Sequence, residues 1–181
     1  QELYSYDLDK INEDVLKELY QELVNDEVRQ QLGEFYTPDW LADHMVLHML
    51  EDQVEARVMD PACGSGTFLF KTIQYKIFKL EKQKMEKSEI LEHILDNVVG
   101  FDIHPLAIMI AKTNYLLALQ KIIKARNGII SIPVYLSDSL KIPEMKIDVS
   151  TGTKIFEYET PGNKKFQFPE KMVTDTSKMD E

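Results

Sequence analysis

The residues best placed to do chemistry lie in Val58-Met59-Asp60-Pro61-Ala62-Cys63-Gly64-Ser65-Gly66-Thr67-Phe68-Leu69-Phe70. An apolar pair leads to an acid, then to a turn of small residues, then to an apolar segment. This is the order of a strand, a loop and a helix. In a parallel α/β sheet, ligands collect at the carboxyl ends of strands, and a glycine turn lets backbone approach them. The helix that follows offers unpaired N–H groups to a negative group. Asp60, Gly64 and Gly66 suit that geometry. Two more acids hold comparable places. Asp102 ends Val98-Val99-Gly100-Phe101-Asp102, and Asp138 follows Pro133-Val134-Tyr135-Leu136-Ser137.

The residue types narrow the ligand. A phosphate loop of the Walker type needs Gly-Lys-Ser/Thr, but the first lysine after these glycines is Lys71. A dinucleotide fingerprint needs a third glycine where Leu69 stands. It also needs an acid about 20 residues on, and Asp102 is about twice that far. S-adenosylmethionine carries no phosphate. It carries an ammonium, a carboxylate, a sulfonium, a ribose with two hydroxyls and an adenine. An acid ending strand one can receive the ammonium, one ending strand two the ribose hydroxyls, and a polar group after strand three the adenine amine. Asp60, Asp102 and Asp138 match those needs in that order. Each acid alone could merely cap the next helix, but three after three successive strands favour a shared site.

The elements that must hold these residues follow from periodicity. Ile11, Val15, Leu19 and Leu23 predict a helix over 8–32, ended by Gly33. Thr37-Pro38 predicts a second helix start, with Thr37 as N-cap and Leu41, Met45 and Met49 forming one face. Arg57–Asp60 reads as a short buried strand and Thr67–Leu80 as the helix after it. Lys71 to Lys87 reads as an extended, solvated helix. Val98–Asp102 is a second strand. Pro105 opens a helix to about Gln120, apolar on most sides and therefore expected to be covered on more than one face. Pro133–Leu136 is a third strand. Alternation in Ile155–Thr160 and Lys165–Phe168 around Pro161-Gly162-Asn163 predicts a β-hairpin. Val173–Glu181 reads as a polar end. The expected fold is α/β, with three parallel strands and their helices, N-terminal helices and a C-terminal hairpin. The expected divisions are an N-terminal helical segment (1–50), an α/β core (51–145) and a hairpin with tail (146–181).

Composition limits the function classes. The chain has 181 residues, 44% of them hydrophobic, enough for a core. No apolar run reaches the roughly 20 residues of a membrane helix, and no signal peptide is visible. The single cysteine, Cys63, excludes an internal disulfide and a multi-cysteine zinc site, and fits a reducing cytoplasm. Cys63 reads as a packed small residue, His104 as solvent-facing or supporting, and Trp40 as core or a domain contact. The net charge of −10 is not that of a domain gripping DNA by itself.

Asp60-Pro61-Ala62-Cys63-Gly64-Ser65-Gly66-Thr67-Phe68 resembles the S-adenosylmethionine loop of adenine-specific DNA methyltransferases of restriction–modification systems. Gly33-Glu34-Phe35-Tyr36-Thr37-Pro38, with Leu41, Ala42 and Val46, resembles that family's upstream motif. Gly100-Phe101-Asp102-Ile103-His104-Pro105-Leu106-Ala107, with Ala111 and Asn114, resembles its second-strand motif, and Ser137-Asp138-Ser139-Leu140 its shorter third one. The resemblance covers roughly residues 8–140. It implies a Rossmann-like methyltransferase fold. Phe35, Tyr36 and Thr37 would meet the methionine end of the cofactor. Asp60, Pro61, Ala62, Gly64, Ser65, Gly66 and Thr67 would form the loop wall. Asp102 would take the ribose, Ile103 would line the cofactor site beside it, and Asp138 and Ser139 would meet the adenine. No metal is implied.

The family transfers a methyl group to the exocyclic amine of a flipped adenine. It uses an Asn (or Asp)-Pro-Pro-aromatic motif at the end of a fourth strand. No two of the seven prolines here are adjacent. With Gln1 at the start, this implies an N-terminal piece of a larger methyltransferase, inactive alone, whose catalytic and target-recognition regions lie elsewhere. No catalytic residue is assigned to this chain. The implied partners are DNA, through those regions, and the rest of the chain or a specificity or restriction subunit. In this fold the first strand pairs with the fourth. Its open edge is expected to be covered by the hairpin, a partner chain or self-association. The alternatives are a non-catalytic S-adenosylmethionine-binding assembly module, or a methyltransferase acting on RNA or protein. A nicotinamide-cofactor dehydrogenase is more distant.

Overall fold

The computed structural model describes residues 37–51, 53–141, 143–159 and 164–170. The expected helix over 8–32, Gly33, Phe35, Tyr36, the Pro161-Gly162-Asn163 turn and the polar end lie outside the described residues. The chain forms two compact units, divided between Leu136 and Ser137.

The first unit contains helix α1 (Asp39–Leu50), strand β1 (Val58–Asp60), helices α2 (Thr67–Lys82) and α3 (Lys87–Asn97), strand β2 (Val98–Asp102), helix α4 (Pro105–Ala118) and strand β3 (Val134–Leu136). The strands form one parallel sheet in the order β1-β2-β3. Val58 pairs with Val98 and Asp60 with Gly100, while Gly100 pairs with Val134 and Asp102 with Leu136. Parallel neighbours need long crossovers, and helices supply them here. α2 is the central helix, packing on α1, α3 and α4. Its buried stripe is Leu69, Phe70, Ile73, Ile77 and Leu80. Each such side chain contributes about 1.5–3 kcal/mol when fully buried. Ile90, Leu91 and Ile94 of α3, Val98 of β2 and Tyr115 of α4 complete the core. The Tyr115 hydroxyl lies 3.1 and 3.0 Å from the carbonyls of Ile94 and Val98, tying α4 to the α3–β2 junction.

Several expectations are corrected. Thr37 is not the N-cap: Pro38 holds that position, and its carbonyl accepts from Leu41 and Ala42 N–H. The buried face of α1 is Ala42, Val46 and Leu50, and Met45 and Met49 are exposed. Both stripes are apolar, so periodicity alone could not choose. Trp40 is 71% exposed, not core. β1 is not fully buried, since Met59 is 63% exposed. Among the described residues β1 has one neighbour, β2. Beside it, a groove of about 220 Å³ runs between α1, β1 and α2, lined by Met45, Met49, Met59 and Phe68 among others. α4 buries mainly one side, leaving Met109 and Leu116 exposed.

The lysine-rich stretch is not one solvated helix. α2 stops at Lys82, Lys84 adopts φ 62°, and α3 starts afresh at Lys87. A capping box between Glu86 and Glu89 starts α3, a signal present in the sequence but overridden by charge density. Lys76 is fully buried. Its Nζ donates to the Val54 and Ala56 carbonyls at 2.5 and 2.7 Å, on the segment leading into β1. His93 Nε2 lies 3.4 Å away, and Asn97 Nδ2 is 3.3 Å from His93 Nδ1 and 2.8 Å from its carbonyl. A neutral amine satisfies this network. Its two N–H groups meet the carbonyls and its lone pair accepts from His93 Nε2–H, while Nδ1 accepts from Asn97. An ammonium would need a proton on Nδ1, which then faces the Asn97 donor.

The second unit contains β4 (Glu144–Ile147), β5 (Lys154–Glu159) and β6 (Lys165–Pro169) in one antiparallel sheet, in that order. The expected hairpin exists, but it gains β4, whose Glu-Met-Lys-Ile alternation also reads as strand. These strands form their own three-stranded sheet. Glu157 on the middle strand accepts from Lys146, Lys165 and Gln167. The donors hold its carboxyl down at about 2. Pairing in register places Met145, Phe156 and Phe168 on one face, with Tyr158 and Phe166.

Burial pushes Lys76 down to about 8, with Glu55 opposing the shift. Between that value and the ordinary one, the unfolded chain binds more protons, so stability must rise with pH. Between pH 7.5 and 10, wild type should gain about 1–2 kcal/mol relative to Lys76→Met, in parallel denaturant titrations. Equal pH slopes for the two proteins would contradict a buried, titrating amine.

Candidate functional site

The site forms where β1 and β2 end. β1 stops at Asp60, and the chain turns through Pro61–Gly66 into α2. Gly64 and Gly66 adopt φ +53° and +87°, conformations that side chains resist. Gly66 is constrained twice, because a Cβ there would lie 3.1 Å from Ala111 Cα on α4. Gly64 faces open space, so only its backbone conformation calls for glycine. Cys63 N–H donates to the Phe101 carbonyl at 2.8 Å, fastening the loop to β2. Asn114 Nδ2 donates to the Ser65 carbonyl at 2.9 Å, fastening it to α4. Cys63 is buried and packed, as expected. Burial and the charges of Asp60 and Asp102 push its thiol far up, so it is no nucleophile.

Asp102 links three elements. Its Oδ2 accepts from Gly64 N–H and its Oδ1 from His104 N–H, both at 2.8 Å. A carboxylate has about four acceptor positions, so two remain for a ligand. Asp60 Oδ1 accepts from Ala62 N–H at 3.2 Å. Burial raises the Asp60 pKa, the Ala62 N–H lowers it, and the charge of Asp102 raises it further. Among the described residues, no ion pair engages either carboxylate. The N-cap of α2 is Gly66, which has no side chain of its own to cap the helix. The site therefore joins a negative pair, which favours a cation, to a helix N-terminus, which favours an anion. One zwitterionic ligand can satisfy both.

The remaining expected residues are placed as follows. Pro61 and Ala62 are exposed on the loop, while Ser65 and Thr67 are buried. Ile103 is 58% exposed just past Asp102. Thr37 is half-buried, immediately before Pro38. Asp138 and Ser139 belong to the second unit, where Asp138 Oδ1 accepts from Leu140 N–H. The first unit thus brings together Asp60, Asp102 and the glycine loop. Sequence reasoning missed Asn114, Phe101 and Gly100 as supports of that loop. A Cβ on Gly100 would fall 2.6 Å from Leu69 Cδ1 and 3.3 Å from Cys63 Sγ. Their only signal was the Gly100…Asn114 spacing of the second-strand motif.

A parallel sheet with a glycine turn and acids at adjacent strand ends is the Rossmann-like arrangement. Residues 11–174 match the N-6 DNA Methylase family model, and the chain belongs to that family. It is 24% identical over 169 residues to the type II methyltransferase M.VspI of Vibrio sp. (strain 343), covering 93% of this chain and 36% of that protein. It is 27% identical over 112 residues to the adenine-specific methyltransferase PglX of Streptomyces coelicolor, covering 57% of this chain and 9% of that one. The chain thus spans about a third or less of these relatives. Among solved structures, the fold resembles the DNA-bound Type ISP restriction-modification enzyme LlaBIII. The TM-score is 0.52 at 19% identity, over 68% of this chain and 9% of that one. The DrdV–DNA complex gives a TM-score of 0.51 at 21% identity, over 71% and 12%.

Two substitutions test the site's energetics. Gly66→Ala should cost about 2–3 kcal/mol, from left-handed strain plus the contact with Ala111. Asp60→Asn should raise the thermal midpoint of the ligand-free protein at pH 7. The raised pKa means that the folded state resists the charge on Asp60, and this penalty grows as pH rises above the ordinary carboxylate value. The gain should vanish near pH 3, where the carboxyl is protonated in both states. Calorimetric scans at the two pH values measure it.

Proposed function

We propose that this chain is the S-adenosylmethionine-binding part of a DNA methyltransferase acting on the exocyclic amine of adenine. The observation that carries this is the Asp60–Asp102 pair across a glycine loop that leads into a helix N-terminus. Membership in the N-6 DNA Methylase family supports the reaction class. When bound, S-adenosylmethionine supplies a methyl group on a positively charged sulfur.

The residues of this chain would bind and orient that group. Asp60 receives the ammonium, directly or through water. The positive end of the α2 dipole faces the carboxylate. The free acceptor positions of Asp102 take the two ribose hydroxyls, and exposed Ile103 packs on the adenine. The family resemblance would add Asp138 and Ser139 at the adenine amine, and Phe35, Tyr36 and Thr37 at the methionine end. Gly64 and Gly66 keep backbone low enough for close approach.

The 181 residues contain no Asn-Pro-Pro-aromatic motif to hold the target amine. This chain is therefore expected to bind cofactor without transferring methyl groups. DNA would be gripped by other parts of the protein, in keeping with the charge of −10 here.

Titration calorimetry at pH 7.5 should detect S-adenosylmethionine binding, weakened about tenfold or more by Asp102→Asn. Affinity should fall as pH drops through the raised pKa of Asp60, because a protonated carboxyl loses its attraction for the ammonium. That fall should be absent in Asp60→Asn. No binding heat from folded wild-type protein would end this reading.

A further inference from the structure

We infer that Lys71 is a positioning residue, holding the N-terminal turn of α1 against the helix that follows the glycine loop. The inference rests on the S-adenosylmethionine reading above. Lys71 lies in the second turn of α2, four residues past Thr67. Its side chain is only 11% exposed. Nζ sits 3.4 Å from Asp39 Oδ2 and 3.1 Å from Asp43 Oδ2.

Asp39 opens α1, and Asp43 lies one turn later on the same face. Lys71 thus meets a pair of like charges that would otherwise repel each other across that turn. The far end of α1 is held by buried Val46 and Leu50. Its beginning has only Ala42 as a buried apolar anchor, and Ala42 is small. The ion pairs fall at this weakly anchored end. They fix the turn that continues directly from Thr37, at the edge of the upstream motif. They also direct the lysine's charge toward α1, leaving the Asp60–Asp102 pair unneutralised and ready for a cationic ligand.

The two carboxylates are partly exposed, so the pairs are weak and their loss shifts docking modestly. If ligand binds only when α1 is docked, apparent affinity falls in proportion to the docked fraction. The 181-residue chain would be compared as wild type, Lys71→Met, Lys71→Arg and the exchange Lys71→Asp with Asp43→Lys. Calorimetry gives S-adenosylmethionine affinity, and hydrogen exchange of the α1 amides gives docking without ligand. Lys71→Met should bind roughly fivefold more weakly and exchange faster in the first turns of α1. The thermal midpoint should barely move. Arginine, and in part the exchanged pair, should restore both readouts. Faster exchange with unchanged affinity overturns the positioning role, and unchanged exchange overturns docking by Lys71. Wild-type protein that binds no S-adenosylmethionine overturns the cofactor reading instead, and hydrogen exchange alone then decides whether Lys71 docks α1.

Discussion

Both Asp102 oxygens are committed to backbone before any ligand arrives. One accepts from Gly64 in the loop after β1, the other from His104 at the start of α4. A carboxylate at the end of β2 thereby sets the height of the neighbouring loop and the entry of the next helix. The other supports act in the same direction. Cys63 fastens to Phe101, Ser65 to Asn114, and Gly66 lets Ala111 come close. A loop pinned at four points along its length is preorganised, and little ordering entropy remains to be lost on binding. The residue that would grip a ligand is also the one that shapes its wall.

The negative pair at this site is maintained against a cost. Asp60 is half-buried beside Asp102 and resists ionisation. The nearest lysine along the chain after the loop, Lys71, turns to α1. Lys76 points the other way, into the segment before β1. A sequence rich in lysine around α2 thus leaves its two site acids unpaired among the described residues. Uncompensated charge at a binding site commonly lowers stability in exchange for affinity.

Much of this was legible in the sequence because local chemistry and global fold agree there. The glycine loop, the β2 register and the start of α4 at Pro105 each have a backbone reason visible in residue type. Legibility failed where residue type leaves a choice open. Leu41-Met45-Met49 and Ala42-Val46-Leu50 are equally apolar stripes, and only the shape of α2 decides between them. Lysine at 71 and 76 reads as solvated until the fold brings acids and carbonyls to it. β4 was overlooked because four alternating residues carry little weight against a long polar stretch. Asn114 could not be assigned a role, since its partner, the Ser65 carbonyl, is brought to it by tertiary packing alone.

The contact between Gly100 and Leu69 reaches beyond this one chain. A Cβ at 100 would intrude on the end of the leucine side chain and crowd Cys63. The volume at one position is therefore set by the volume at the others. A family member that carries alanine at the first should carry a shorter side chain at the second. Such paired substitutions would leave a covariation signal between β2 and α2, arising from packing rather than from ligand chemistry. Any search for specificity determinants near this loop must separate that signal from the residues that touch the ligand.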